Sequence, residues 1–335
     1  MSAKVIALLN SHIEGDNEQF LSLALQLAAQ EAREGRIEQA EKVKALVQKA
    51  RDRQRQPKLS SVQGPIPLAR PRADLEGVVA SSYPRTGLSG MVLSDNVASR
   101  LANVVRQQNQ RAVLRDNGQI PATHLLLVGP PGTGKTMTAE ALAGELHLPL
   151  FRVRLESVFS RFFGETSAKL GLLFEQIAQM RGVYLLDEFD ALGARRSEGN
   201  DVGEIRRVLN AILGFLELPN STDSLVIAAT NCAEMLDEAL ARRFDEVIEY
   251  TLPDKNAAKA IVAARLGKFQ IPKRALTKLA SDMDGLSPAE LGRAVDSVTK
   301  DAILDNRSQI EPQALAKALQ ARHAFRNKFR RQNGR

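Results

Sequence analysis

The chain has 335 residues, 44% of them hydrophobic and 25% charged, with 46 Lys and Arg against 39 Asp and Glu. That is ordinary for a soluble globular protein and leaves room for two or three domains, or one large core with appendages. The lone cysteine, Cys232, excludes an intrachain disulfide and suits a reducing, cytoplasmic setting; the apolar runs fall far short of the ~20 residues of a membrane helix.

Residues 1–56 read as a helical N-terminal domain. Phe20, Leu23, Ala24 and Leu27 form one apolar stripe at helical spacing, and Val43, Leu46, Val47 and Ala50 form another. The N-terminus has one early lysine, and its apolar stretch is broken by Asn10, His12 and Glu14, which argues against a secretory signal. Residues 57–74 interleave Pro57, Gly64, Pro65, Pro67 and Pro71 with Lys58, Arg70 and Arg72, the composition of an extended linker. From 75 to 252 short apolar runs alternate with helical patterns, so a parallel sheet covered on both faces is expected. Its strands are predicted at 124–128, 150–154, 183–187, 225–229 and 247–250. Between them Leu170, Leu173, Phe174 and Ile177 mark one amphipathic helix, and Ile205, Val208, Leu209 and Ile212 another. Beyond Pro253 the alternation stops, and 253–328 reads as helices only, a small lid domain. Ser287-Pro288-Ala289-Glu290 is a helix start with an N-cap serine, proline in the first turn and glutamate three residues past the cap. Residues 322–335 hold six Arg or Lys and no acid. The net charge of +7 is therefore mostly that of a tail, of which 329–335 is the end.

Residues 129–136 read Gly-Pro-Pro-Gly-Thr-Gly-Lys-Thr, between the apolar run 124–128 and a helical stretch opened by Met137. Strand, glycine loop and helix in that order form a phosphate-binding loop. Gly129, Gly132 and Gly134 let the backbone wrap an anion with consecutive N–H groups pointing inward, and Pro130, Pro131 and Thr133 complete the loop. The helix N-terminus adds partial positive charge. Lys135 reaches the β- and γ-phosphates, and the Thr136 hydroxyl is a ligand for Mg²⁺. The chain is thus expected to bind ATP with Mg²⁺. The scattered histidines (His12, His124, His147 and His323) suggest no further metal.

Val183-Tyr184-Leu185-Leu186 ends in Asp187-Glu188, about 50 residues past the loop. In a doubly wound sheet the strand C-terminal ends gather at the ligand crevice, which places Asp187 to hold Mg²⁺ through water and Glu188 to take a proton from the attacking water. Leu225 to Thr230 repeats the pattern and ends in Asn231, placed to orient that water or to sense the γ-phosphate.

These motifs, together with Arg242-Arg243-Phe244-Asp245, stand in the order and spacing of an AAA+ ATPase. More narrowly they resemble the AAA branch that contains katanin, spastin and the ESCRT-disassembly ATPase. The resemblance covers roughly residues 75–325 and implies a P-loop α/β domain with a helical lid, assembled as an ATP-dependent hexamer. It further implies that Arg242 and Arg243 act in trans, as arginine fingers on the neighbouring subunit's ATP. Such a finger contributes roughly 10³ to 10⁵ in rate, or about 4–7 kcal/mol. Gly285 and Ala289 match positions that line the adenine pocket, with alanine where many AAA+ branches carry an arginine. Phe162 and Phe163, in Ser160-Arg161-Phe162-Phe163-Gly164, match the central-pore loop that grips a polypeptide, and Arg195 to Asp201 match a second pore loop. The N-terminal helices resemble adaptor domains in length and position only. The compact size resembles bacterial AAA ATPases paired with a subtilisin-like serine protease. A protein-remodelling motor and a nucleic-acid-directed AAA+ ATPase acting through the basic tail are both open at this point.

Overall fold

A computed structural model describes residues 71–158, 163–189, 211–218, 220–232 and 241–333, with positions 24, 28, 41, 43 and 47 before them. The chain divides into Met1–Leu68 and Ala69–Arg335. In the first unit Ala24, Val43 and Val47 are helical, with Ala24 and Val47 buried; the rest of the two predicted stripes lies outside the described residues.

The second unit is built on six strands: β1 (Val79–Ser82), β2 (His124–Val128), β3 (Leu150–Val153), β4 (Val183–Leu186), β5 (Leu225–Thr230) and β6 (Glu246–Glu249), in spatial order β1-β3-β4-β5-β2-β6. The five strands expected from the sequence are present within a residue of their bounds. The sixth corrects the expectation of a parallel sheet, because β1 runs antiparallel to β3, from Val79 opposite Val153 to Ser82 opposite Leu150. Only Val79 of β1 is buried, so this edge strand carries almost no apolar pattern.

The inner strands are buried on both faces, and alternate residues feed two different cores. Leu126 and Val128 of β2 pack with Phe151, Tyr184, Leu170 and Leu173 on one side. Leu125 and Leu127 pack with Val97, Leu101, Leu142 and Ile227 on the other. The second core is closed by α1 (Asp95–Asn109) and α3 (Lys135–Glu145), with the short α2 (Arg111–Asp116) between them in sequence. The first is closed by α5 (Phe163–Gln179), after the single turn α4 (Leu155–Val158). Ile212, in the helical stretch 211–216, joins the same core; the rest of its predicted helix is outside the described residues.

After β6 the described chain is helical: α6 (Lys255–Leu266), α7 (Lys273–Lys278), α8 (Ala280–Met283), α9 (Pro288–Leu304) and α10 (Pro312–Asn333). They have a core of their own, with Val262, Met283, Leu291, Val295, Leu315 and Leu319 at its centre. Among the described residues no helix is long and apolar enough to cross a membrane.

Candidate functional site

Strand order decides what meets at the C-terminal edge of the sheet. β4, β5 and β2 are adjacent and parallel, with Leu186 opposite Ala228 and Val128 opposite Thr230. The segments leaving these strands (Asp187-Glu188, Asn231 and the loop at 129–134) therefore emerge side by side. The loop is fixed from below: the Gly129 N–H donates to the Thr230 carbonyl at 3.2 Å. At Gly129 (φ 148) a Cβ would collide with the Tyr250 carbonyl, so the chain needs glycine there. Tyr250 also ties α3 to the end of β6 through 2.6 Å between its phenol and the Thr138 hydroxyl. Burial of that phenol pushes its pKa up to about 12.

Lys135 opens α3 and is 7% exposed. A buried ammonium must be hydrogen-bonded. Its Nζ donates to the Gly129 carbonyl at 2.6 Å, to the Pro130 carbonyl at 2.9 Å and to Asn231 Oδ1 at 2.9 Å. One cation thus links the loop to the end of β5. The neighbouring Thr136 hydroxyl donates to Asp187 Oδ2 at 2.8 Å, linking the loop to the end of β4. The other Asp187 oxygen accepts the Glu188 N–H at 3.0 Å. Glu188 is exposed and sits at φ 51, a left-handed conformation that costs a non-glycine residue about 1–3 kcal/mol. It is held there because the next residue is anchored: Phe189 is buried, and its N–H donates to the Ala229 carbonyl at 2.8 Å.

Above these groups lies a cavity of about 700 Å³. Pro131 to Met137, Asp187, Glu188 and Asn231 line one side; Gly90, Met91, Val92, Ile261, Ala264, Arg265, Pro288, Ala289, Gly292, Arg293 and Asp296 line the rest. Gly129 and Pro130 are not in the wall: they form the base of the loop and turn their carbonyls to Lys135. Ala289 is in the wall, and its N–H donates to the Gly132 carbonyl at 3.1 Å, joining α9 to the loop. The capping box expected at Ser287 and Glu290 is formed and fixes this end of α9.

Gly285 does not line the cavity. Its φ is 73, and its carbonyl accepts from Arg326 Nη1. Arg242 and Arg243 are also absent from the wall; Arg242 is exposed, and Arg243 pairs with Glu217 and donates to the Leu213 carbonyl. Phe162 and the 195–201 segment lie outside the described residues, and Phe163 is the first residue of α5.

Two arginines of the wall were missed in the sequence. Arg265 of α6 is neutralised by Asp296 of α9 through contacts of 2.7 and 2.8 Å. Arg293, one helical turn past Ala289, has no hydrogen-bond or ion-pair partner among the described residues. Its i, i+4 spacing from Ala289 was the available signal.

The donor set also fits Mg²⁺. This ion keeps several waters and takes one or two protein oxygens plus phosphate oxygens. Thr136 and Asp187 supply that minimal pair, and no group of three or more His, Cys, Asp or Glu capable of holding a metal occurs among the described residues.

Residues 125–252 match the family model for the ATPase family associated with various cellular activities (AAA). This chain carries an AAA ATPase domain. It is 35% identical over 227 residues to an uncharacterised AAA family ATPase of Sinorhizobium fredii, covering 66% of each chain. The proteasome-activating nucleotidase of Saccharolobus solfataricus is 34% identical over 224 residues, 65% of this chain and 57% of that protein. ATP-dependent zinc metalloprotease FtsH 2 of Methylacidiphilum infernorum is 34% identical over 208 residues, 60% of this chain and 32% of that one. The likeness thus spans about two thirds of the first relative and little more than half of the second. The AAA ATPase domain holds the loop, the Asp187-Glu188 turn and Asn231 within the matched residues, whereas Ala289 and Arg293 lie beyond them.

Proposed function

We propose that the chain hydrolyses ATP and uses the resulting opening and closing of its helical lid to remodel, unfold or translocate a protein through a homohexameric ring. The observation that carries the ATPase part is the convergence of Lys135, Asp187, Glu188 and Asn231 on one cavity beneath a helical wall. A nucleoside triphosphate is the ligand with the matching chemistry. Its phosphates take the loop N–H groups, the Lys135 ammonium and the N-terminus of α3. Its base takes the apolar part of the wall around Met91, Ile261 and Ala289. Arg293 lines the lid side of the same cavity and offers it a cation. Thr136 and Asp187 would hold Mg²⁺, which would supply neutralisation of phosphate charge there. Glu188 accepts the proton of the water that attacks the γ-phosphorus, and Asn231, already bonded to Lys135, orients that water. The leaving ADP oxygen is stabilised by Lys135.

Arg242 and Arg243 complete the site of a neighbouring subunit. Their absence from their own cavity wall supports that role, as does the exposure of Arg242. The protein substrate rests on two supports: relatives named as a proteasome-activating nucleotidase and an ATP-dependent protease, and Phe162-Phe163 at the pore-loop position. We place residues 1–56 as an adaptor, 57–74 as linker, 75–252 as the motor and 253–328 as the lid, in a cytoplasmic protein. A subtilisin-like serine protease is the partner class that the resemblance suggests. The nucleic-acid alternative rests on the basic tail, one member of which, Arg326, is committed to the lid itself.

The test is stimulated hydrolysis. ATP turnover by the full chain should rise with an unfolded polypeptide such as casein and be indifferent to duplex DNA, and Lys135→Ala should bind no ATP. Stimulation by DNA alone would replace the protein-directed reading with the nucleic-acid one; tight ATP binding by Lys135→Ala would refute the site.

A further inference from the structure

The basic helix α10 does not simply end in solvent. His323 and Arg326 are partly buried against the turn between α8 and α9. His323 Nε2 lies 2.8 Å from the Asp282 carbonyl oxygen, and Arg326 Nη1 donates to the Gly285 carbonyl oxygen. Carbonyls in the last turn of a helix, such as that of Asp282, or just past its end, such as that of Gly285, lack intrahelical donors, and these two side chains supply them. The guanidinium lies beside Gly285, where a Cβ would sit at van der Waals distance, 3.5 Å, from Arg326 Nη2.

Arg326 is a poor choice for stability alone. Its Nε is buried without a partner, and it makes no ion pair among the described residues. Burying a cation and an orphan N–H costs free energy that an apolar side chain at the same helix position would not incur.

What the guanidinium holds leads directly to the phosphate loop. Two residues past Gly285, Ser287 is 5% exposed and caps α9, and Ala289 then donates to the Gly132 carbonyl at 3.1 Å. The fit is tight. Gly132 sits at φ 77, and a Cβ there would lie 2.9 Å from both Ala289 Cβ and Ser287 Oγ. Arg326, Gly285, Ser287–Ala289 and Gly132 thus form one continuous chain of contacts from the C-terminal helix to the loop that receives the phosphates.

We propose that Arg326 is a positioning residue for the nucleotide site, acting through the Gly285 carbonyl to press the start of α9 against the phosphate loop. The proposal rests on the nucleotide-binding reading above. Without Arg326 the turn relaxes and Ala289 withdraws from Gly132, so nucleotide affinity falls while the groups at the γ-phosphate stay in place.

The experiment uses the full chain and N-methylanthraniloyl-ATP as the fluorescent probe, with steady-state ATP hydrolysis alongside. Arg326→Gln should raise the Kd of the probe and the KM for ATP roughly three- to tenfold, the size typical of coupling through packed contacts. At saturating ATP, kcat should change little, and Arg326→Lys should restore part of the affinity. Lys328→Gln removes the same charge from an exposed position of the same helix and should leave Kd unchanged. An unaltered Kd for Arg326→Gln overturns the proposal, as does an equal loss in Lys328→Gln. A lowered Tm with wild-type Kd does the same, because it would show a structural role only. If Arg326→Gln does not fold, His323→Gln, which loses only the companion contact, is measured the same way. It should weaken the probe in the same direction, and wild-type binding would overturn the proposal. Lys135→Ala is the reference: if the wild-type chain itself binds no probe, the nucleotide reading fails rather than the role of Arg326.

Discussion

Glu188→Gln separates chemistry from architecture at this site. The carboxylate has no hydrogen-bond or ion-pair partner among the described residues; only the backbone N–H of Glu188 is engaged, with Asp187. The side chain is exposed, so an isosteric amide leaves packing intact and stability within about 0.5 kcal/mol of wild type. What is lost is the proton acceptor. General-base catalysis contributes roughly 10² to 10⁴ in rate, or about 2.7–5.5 kcal/mol of barrier. The phosphate contacts belong to Lys135 and the loop, so ATP affinity should stay within about twofold of wild type. Backbone strain supplies an internal control. At φ 51 a glycine is unstrained, so Glu188→Gly should unfold at the same temperature as wild type or higher, yet be equally inactive. Steady-state phosphate release, equilibrium binding of the labelled nucleotide and thermal unfolding measure the three quantities. If Glu188→Gln turned over ATP within about threefold of wild type, another group would be the base and the assignment would be wrong.

Arg242→Ala/Arg243→Ala chains mixed with Lys135→Ala chains should recover ATPase activity that neither has alone, since each supplies what its neighbour lacks; no recovery in demonstrably mixed rings counts against action in trans. Phe162→Ala should keep most of the ATPase rate and lose polypeptide-stimulated work, and a variant that still processes an unfolded substrate at the wild-type rate would remove Phe162 from the pore loop. Asp245 supports the start of β2. Burial alone would raise its carboxyl, but the nearby His124 ring and hydrogen bonds from the Thr123 and His124 backbone N–H groups outweigh that and bring it down to about 2. A depressed carboxyl stabilises the fold above its unfolded value of about 3.9 and loses that contribution as pH falls toward 2; the side chain is 46% exposed, so after solvent screening the contribution is on the order of 1 kcal/mol. Asp245→Asn should therefore be less stable than wild type near about pH 7, with the gap closing in acid unfolding, and a gap that stays constant down to about pH 2 would refute the linkage.

The strands and the nucleotide site were legible because each sits where a local pattern changes abruptly. Buried runs such as Val183–Leu186 and Leu225–Thr230 end in a charged or amide residue, and the loop at 129–134 has glycines where φ is positive. β1 was not legible, since a four-residue edge strand with one buried side chain has no alternation to read. Gly285 was assigned from the family resemblance and not from a local pattern; at φ 73 its carbonyl meets Arg326 of α10, a contact that no spacing along the chain encodes.

The basic tail holds the most instructive case, because its composition and its periodicity disagree. Read as charge, residues 322–335 are a solvated end. Read as a helix, Leu315 and Leu319 are buried in the lid core, and the same stripe continues at i+4 to His323 and at i+7 to Arg326, both partly buried. Polar residues on the buried stripe of a helix should be matched with backbone acceptors, since burial leaves them no water to bond. Here the acceptors are the carbonyls of Asp282 and Gly285, on the turn that leads into the wall of the nucleotide cavity. Periodicity states that such residues face inward, and chemistry states that they need acceptors. Which turn supplies those acceptors depends on how α8, α9 and α10 pack, and no spacing along the chain encodes it.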